Sequence, residues 1–359
     1  MEKIIIIKGA YGETNFGDDL LMCVFENYFS KEFPDAKLIF EGEIAEYPSK
    51  LLKMATYNKK EENISWIIYG GGTQFFSFGK KKNYFEILKT ILKNPSILKN
   101  KIFDKENMEQ KGINTAFLGF GLGPFDGNKK AELNAQHKLS STSFIGVRDY
   151  VSKQFCDDWN MDCHLGADVV FSSYFSDFVS NINENDKKTG GNKKVGLIVR
   201  DWDWEASGKK YIDKLIRFYD ENKSSGNYKI IVYAPDRDKR WMKLLKDEEM
   251  LIWDPYKHTI KDFLNELNEF DVFISARYHG AIIGALLGKP VICVEIEPKL
   301  KILTEQVPQF RLWKKPFDIN ELYDLEKTIN FIPDYGDTLE NLKNKADHML
   351  NSFKSKFYE

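Results

Sequence analysis

Short apolar runs recur along this chain, each followed by glycines and then by an amphipathic stretch, and that rhythm constrains the fold more than any other feature. Lys3 to Lys8 reads as a buried strand and Asp18 to Phe29 as the helix behind it, with Asp18 or Asp19 supplying negative charge in its first turn. Lys37 to Phe40 is a second strand. Trp66 to Tyr69 is a third, ending in Gly70-Gly71-Gly72. Thr115 to Phe120 is a fourth, ending in Gly121-Leu122-Gly123-Pro124, and Phe144 to Val147 is a fifth, followed by Arg148-Asp149. Apolar strands alternating with helical patterns imply a parallel sheet with crossover helices, whose ligands bind beyond the carboxyl ends of the strands. The expected class is α/β.

From Asn181 to Lys194 large apolar residues almost vanish, which reads as a linker. The rhythm then restarts. Strands are expected at Val195 to Val199, Lys229 to Tyr233, Leu251 to Trp253, Val272 to Ser275 and Val291 to Glu295. Helices are expected at Lys209 to Glu221, Trp241 to Asp247, Ile260 to Leu267 and Ala281 to Leu287. A tail from Leu322 to Phe357 is amphipathic helix interrupted at Pro333. With 359 residues and roughly 150 per domain, two sequential halves with a cleft between them are expected: domains over 1–180 and 194–320, then a helical tail over 321–359.

A formal charge of −2 gives no electrostatic reason to expect nucleic acid. Cys23, Cys156, Cys163 and Cys293 form no Cys-x-x-Cys pair, so reduced thiols in a reducing compartment are expected, and no metal. The run Ile4 to Ile7 is too short for a signal-peptide core, and Ala281 to Ile296 is broken by Lys289-Pro290. The expectation is a cytoplasmic protein, compatible with loose contact at the inner membrane face. The lysine runs at Lys80 to Lys82 and Lys187 to Lys194 read as solvated loops, or as contacts to anionic lipid or a lipid pyrophosphate.

Five segments could carry chemistry. Gly9 to Asp19 follows the first strand, and its glycines and helix start, with Asn15, Gly17 and Asp18, could approach an anion or a hydroxyl; it fits neither the dinucleotide fingerprint nor a P-loop, and a plain tight turn remains open. Gly70-Gly71-Gly72-Thr73-Gln74 and Gly119 to Pro124, including Gly121 and Gly123, would add a crevice edge made mostly of backbone, suited to a polyhydroxylated ligand. Arg148 at a strand end could clamp a carboxylate or phosphate, or simply pair with Asp149 or Asp168. Sharpest is Arg277-Tyr278-His279-Gly280. Two positions apart, Arg277 and His279 would share a side if the extended conformation continued, joining a fixed charge to a group that titrates near neutrality. Lys299 could reach the same crevice. Trp202 and Trp204 could stack on a sugar ring or serve as packing.

Asn15-x-Gly17-Asp18, Gly70-Gly71-Gly72, Gly121-x-Gly123-Pro124, Arg148-Asp149 and Arg277-x-His279-Gly280-Ala281 occur in that order, and the set resembles the polysaccharide pyruvyl transferases over roughly residues 1 to 300. The resemblance implies two Rossmann-like domains with the glycosyltransferase B architecture. It implies transfer of a pyruvyl group from phosphoenolpyruvate, as co-substrate and with no cofactor, to a sugar that could be lipid-linked, in capsule or exopolysaccharide biosynthesis. Carried over by position, Arg148, Arg277, Lys299 and Gly280 would bind the donor and His279 would act as acid and base. Tyr278 and the segments around Asn15, Gly17, Asp18, Gly71, Gly72, Thr73, Gly121 and Gly123 would line the cleft or touch the acceptor. Ile296-Glu297-Pro298 departs from the Tyr-Asp-like pair expected before Lys299. A nucleotide-sugar glycosyltransferase of the same architecture and a non-catalytic glycan-binding protein are the alternatives.

Overall fold

The computed structural model describes residues 3–42, 46–57, 59, 61–77, 112–179, 182, 193–329 and 333–359. Lys80 to Lys82 and residues 183–192 of the expected linker, with Lys187 and Lys188, lie outside the described residues. The first half forms β1 (Ile4–Lys8), β2 (Lys37–Glu41), β3 (Thr56–Tyr57), β4 (Ile64–Gly70), β5 (Thr73–Phe75), β6 (Asn114–Leu122), β7 (Phe144–Val147) and β8 (His164–Leu165). The second forms β9 (Val195–Val199), β10 (Tyr228–Val232), β11 (Met250–Ile252), β12 (Val272–Ser275), β13 (Val291–Val294) and β14 (Arg311–Trp313).

Both sheets are parallel, in the orders β3-β2-β1-β4-β6-β7-β8, with β5 on β6, and β11-β10-β9-β12-β13-β14. In each, the chain runs outward on one side of its first strand and then returns to the other side. The reversal falls between β1 and β4 and between β9 and β12, where an open α/β sheet leaves a crevice at the carboxyl ends. The isoleucines of β1 show why it is a central strand. Ile5 and Ile7 enter the main core, while Ile4 and Ile6 face Ile39 and Ile67 on the other side. Each such burial contributes about 1.5–3 kcal/mol.

The halves are joined at the start of the helix Phe16–Glu32. Phe16 N donates to Tyr233 O at 2.9 Å, and its ring packs against Tyr233, Trp253 and Phe263. Trp253 Nε1 donates to Asp19 Oδ2 at 2.8 Å. Part of the glycine-rich segment after β1 therefore serves as a joint. The last helix, Gly336–Tyr358, returns to the first sheet: Tyr28 donates its hydroxyl proton to Leu350 O at 2.7 Å, and Phe353 and Phe357 pack on Trp66 and Phe33. All four cysteines are free and buried. Among the described residues no helix is long and apolar enough to cross a membrane.

Candidate active site

A cleft of about 970 Å³ lies at the carboxyl ends of both sheets, within the usual size of a ligand site. Asn15, Gly17, Asp18, Gly71, Gly72, Thr73, Gly121, Gly123 and Arg148 line it from the first half, and Arg277, Tyr278, His279 and Lys299 from the second. Gly71 and Gly72 have φ of 66° and 70°, a left-handed backbone that a side chain would strain. Gly280 is a correction: it does not line the cleft. A Cβ there would meet Ser275 Oγ at 2.5 Å and Ile198 at 2.9 Å, so its missing side chain lets the helix approach β9 and β12.

A second correction concerns Arg277 and His279. The extended run ends at Arg277, which caps the helix Tyr278–Leu286, so His279 sits in the first helical turn. Ser275 closes the turn: its Oγ accepts from Arg277 N at 3.2 Å and donates to Arg277 O at 2.8 Å. Arg277 is 7% exposed, donates to Val199 O at 3.3 Å and is paired with the fully buried Asp238.

Arg148 and His279 converge on one carboxylate. Arg148 Nη1 lies 3.3 Å and His279 Nε2 3.5 Å from Asp168 Oδ2, while Asp168 Oδ1 accepts from Val170 N at 3.1 Å. Burial pushes the Asp168 carboxyl up, but His279, Arg148 and the Val170 amide outweigh it and hold the group below its usual range. Arg148 also donates to Thr73 Oγ1 at 3.1 Å, and its guanidinium stands 4.3 Å from the Tyr278 ring centre. Tyr278, 4% exposed, thus packs its ring against the Arg148 guanidinium.

Three further residues were not singled out from the sequence. Arg200 follows β9 as Arg148 follows β7, a signal that could have found it. It and Lys299 share the buried carboxylate of Glu297, with Lys299 Nζ at 3.1 Å. The acid that departs from the family pattern is therefore the counter-ion of two cleft cations. Two positive charges on one negative leave a surplus that an anion can take up. Pro298 opens the helix Pro298–Gln306, so Lys299 stands in its first turn rather than on a loop. Tyr233 is the third. Its hydroxyl, Arg148 Nε and Asp201 Oδ1 are buried without a hydrogen-bond partner among the described residues, and all three residues line this cleft. Such a concentration marks a place where a ligand completes the bonding.

Gly17 bears directly on the imidazole, because a Cβ there would come within 2.4 Å of His279 Nδ1. Gly17→Ala is expected to displace the ring and lower turnover about 10²-fold, the size of effect that a displacement near 1 Å produces. Circular dichroism and steady-state kinetics check it: the fold should persist while kcat falls.

The sequence model described as "Polysaccharide pyruvyl transferase" matches residues 15–298. No curated protein matches the chain. Among solved structures, UDP-GlcNAc 2-epimerase of Methanocaldococcus jannaschii, in complex with UDP-GlcNAc and UDP, superposes with TM-score 0.62 at 12% identity, covering 99% of this chain and 100% of that one. A putative UDP-N-acetylglucosamine 2-epimerase of Listeria monocytogenes gives TM-score 0.61 at 11% identity, covering 99% and 97%. At this identity the likeness shows the fold alone, two Rossmann-like domains in the glycosyltransferase B arrangement. The match runs from the cap of the first helix to the helix that carries Lys299, and on it the chain belongs to the polysaccharide pyruvyl transferase family.

Proposed function

We propose that this pyruvyl transferase takes its pyruvyl group from phosphoenolpyruvate and sets it on two hydroxyls of a sugar as a cyclic ketal, releasing phosphate, during assembly of a bacterial surface glycan. The observation that carries the reading is His279, braced by an ionised Asp168 and surrounded by Arg148, Arg277, Arg200 and Lys299 in one cleft.

The chemistry assigns these groups as follows. Asp168 holds the proton on Nε2, leaving Nδ1, beside Gly17, as the atom that exchanges protons. Protonating the terminal vinyl carbon of the donor gives an oxocarbenium centre, which one sugar hydroxyl attacks as its proton passes to the imidazole. The C–O bond to phosphate then breaks, and a second hydroxyl closes the ketal as its proton passes to the departing phosphate. The cations hold the donor's carboxylate and stabilise the departing phosphate. Phosphoenolpyruvate should raise the melting temperature while UDP does not, and sugar-dependent phosphate release should follow. A rise with UDP alone would favour the glycosyltransferase alternative.

Lys299 gives a pH prediction. Burial lowers its ammonium to about 8, against the opposing pull of Glu297 and with help from Arg200 and Arg148. In the folded chain it is therefore charged below pH 8 and increasingly neutral above. An unfolded lysine titrates near 10.4, so this group adds stability as pH rises from about 8 to about 10.4. Donor binding runs the other way. A phosphomonoester is fully ionised well below pH 8 and favours the ammonium, so affinity should fall toward tenfold per pH unit above that point. Calorimetry should detect proton uptake on binding at pH 9, and Lys299→Met should abolish both the uptake and the slope.

A further inference from the structure

The helix Pro298–Gln306 begins in the cleft and ends against the other half. Pro298, Lys299 and Ile302 line the cleft, whereas Gln306 does not. A run of nine residues spans about 13 Å, so its last side chain acts well away from its first. There Gln306 Nε2 donates to the carbonyl oxygen of Arg148 at 3.0 Å, a bond between residues 158 positions apart. Beside it, Glu305 accepts from the hydroxyl of Tyr150, the first residue of the helix Tyr150–Asp158. Two adjacent side chains of the second half thus grip the turn that leaves β7.

The two bonds differ in what they hold. Tyr150 is 51% exposed and does not line the cleft. Arg148 does, and both halves fix its backbone: its N–H donates to Phe120 O at 3.1 Å within the first sheet, and its carbonyl accepts from Gln306. Its guanidinium stands 4.3 Å from the Tyr278 ring centre, and Lys299 Nζ stands 5.7 Å from the same centre. Cations delivered by opposite halves therefore converge on one ring. A carboxylate or phosphate bonds such cations at about 2.7–2.9 Å, so a change of about 1 Å in their separation removes one of the two contacts. An amide suits the tie, because it donates to a carbonyl without adding charge beside Arg148.

We infer that Gln306 is a positioning residue for the anion site: by tying the Arg148 backbone to the far end of the helix that presents Lys299, it sets the separation of two cations that belong to different halves. Gln306 touches no substrate and acts through Arg148. The inference rests on the pyruvyl-transfer reading for the identity of the donor, but on a bond made outside the cleft.

The test compares the full wild-type chain with Gln306→Met, Gln306→Glu and Tyr150→Phe. Calorimetry measures affinity for phosphoenolpyruvate and, separately, for inorganic phosphate, with melting temperature and steady-state kinetics followed in parallel. Gln306→Met keeps length and volume but cannot donate, and Gln306→Glu keeps the size but has lost its donor at neutral pH. Both are expected to bind either anion about tenfold more weakly, the worth of one lost hydrogen bond. The loss in turnover should fall mainly in KM, because a displaced clamp weakens the bound donor and its transition state alike. Tyr150→Phe removes the neighbouring tie and should keep wild-type affinity. Unchanged affinity in both Gln306 variants overturns the inference, and so does an equal loss in Tyr150→Phe, which would make the contact a general joint between the halves. A wild type that binds phosphate but not phosphoenolpyruvate overturns the donor reading instead, and the phosphate titration still decides this one. A wild type that binds neither anion overturns both.

Discussion

Replacing His279 by glutamine is expected to lower kcat about 10²- to 10⁴-fold, the usual worth of a positioned acid-base group, while the phosphoenolpyruvate-induced rise in melting temperature persists. The separation follows from geometry. On the proposed reading the donor's charges fall to Arg148, Arg277, Arg200 and Lys299, whereas His279 is a largely buried ring whose Nε2 faces Asp168. Glutamine keeps polarity and length but cannot exchange a proton. Asp168→Asn should give a loss of the same order by another route, because an amide can donate to Nε2 and favour the wrong tautomer. Residues acting as one unit are not additive, so the double variant should be little worse than the poorer single one. A His279→Gln enzyme with unchanged kcat would sink the assignment.

What the sequence made legible was set by how local each signal is. Strands such as Phe144–Val147, Val195–Val199 and Val272–Ser275 are apolar runs closed by polar or glycine residues, and their ends were readable to the residue. The two- and three-residue strands β3, β5, β8 and β14 carry no period and were missed. Arg148 and Arg277 were readable because an arginine after an apolar strand has few reasons to be there. Their counter-ions were not. Arg277 finds Asp238 across 39 positions and Arg200 finds Glu297 across 97, and no spacing rule spans that distance. The turn at Arg277 was misjudged because Ser275 bonds back to the backbone, a contact between neighbours that hydropathy does not register. The last helix was readable as amphipathic, but its target was not: Phe353 and Phe357 seek an apolar face, and only the fold puts Trp66 opposite them.

Arg148→Met should be the most destabilising single change in the site. The arginine side chain is 2% exposed, and its partners Asp168 and Asp149 are 0% and 6% exposed. Methionine fills much of the volume yet leaves Asp168 ionised with only His279 and the Val170 amide for support. Removing one member of a buried pair costs about 3–5 kcal/mol, because the remaining charge cannot regain its water. The sign with pH follows from the same carboxyl. In the wild-type fold its affinity for a proton is depressed, so it stabilises the fold above its unfolded value near 3.9, and that contribution is lost as pH falls through the lower folded value. Without Arg148 the folded value rises, so the penalty is full at neutral pH and shrinks as the carboxyl takes up a proton in acid. Urea midpoints at pH 7 and pH 4.5 should show the gap narrowing. Adding Asp168→Asn to Arg148→Met removes the stranded charge while an amide oxygen still accepts from Val170 N. Stability should largely return in the double variant, yet turnover should not, because the donor clamp and the imidazole brace are both gone. A double variant that regains activity along with stability would make Arg148 a structural residue and leave the donor's anionic groups to Arg277, Arg200 and Lys299.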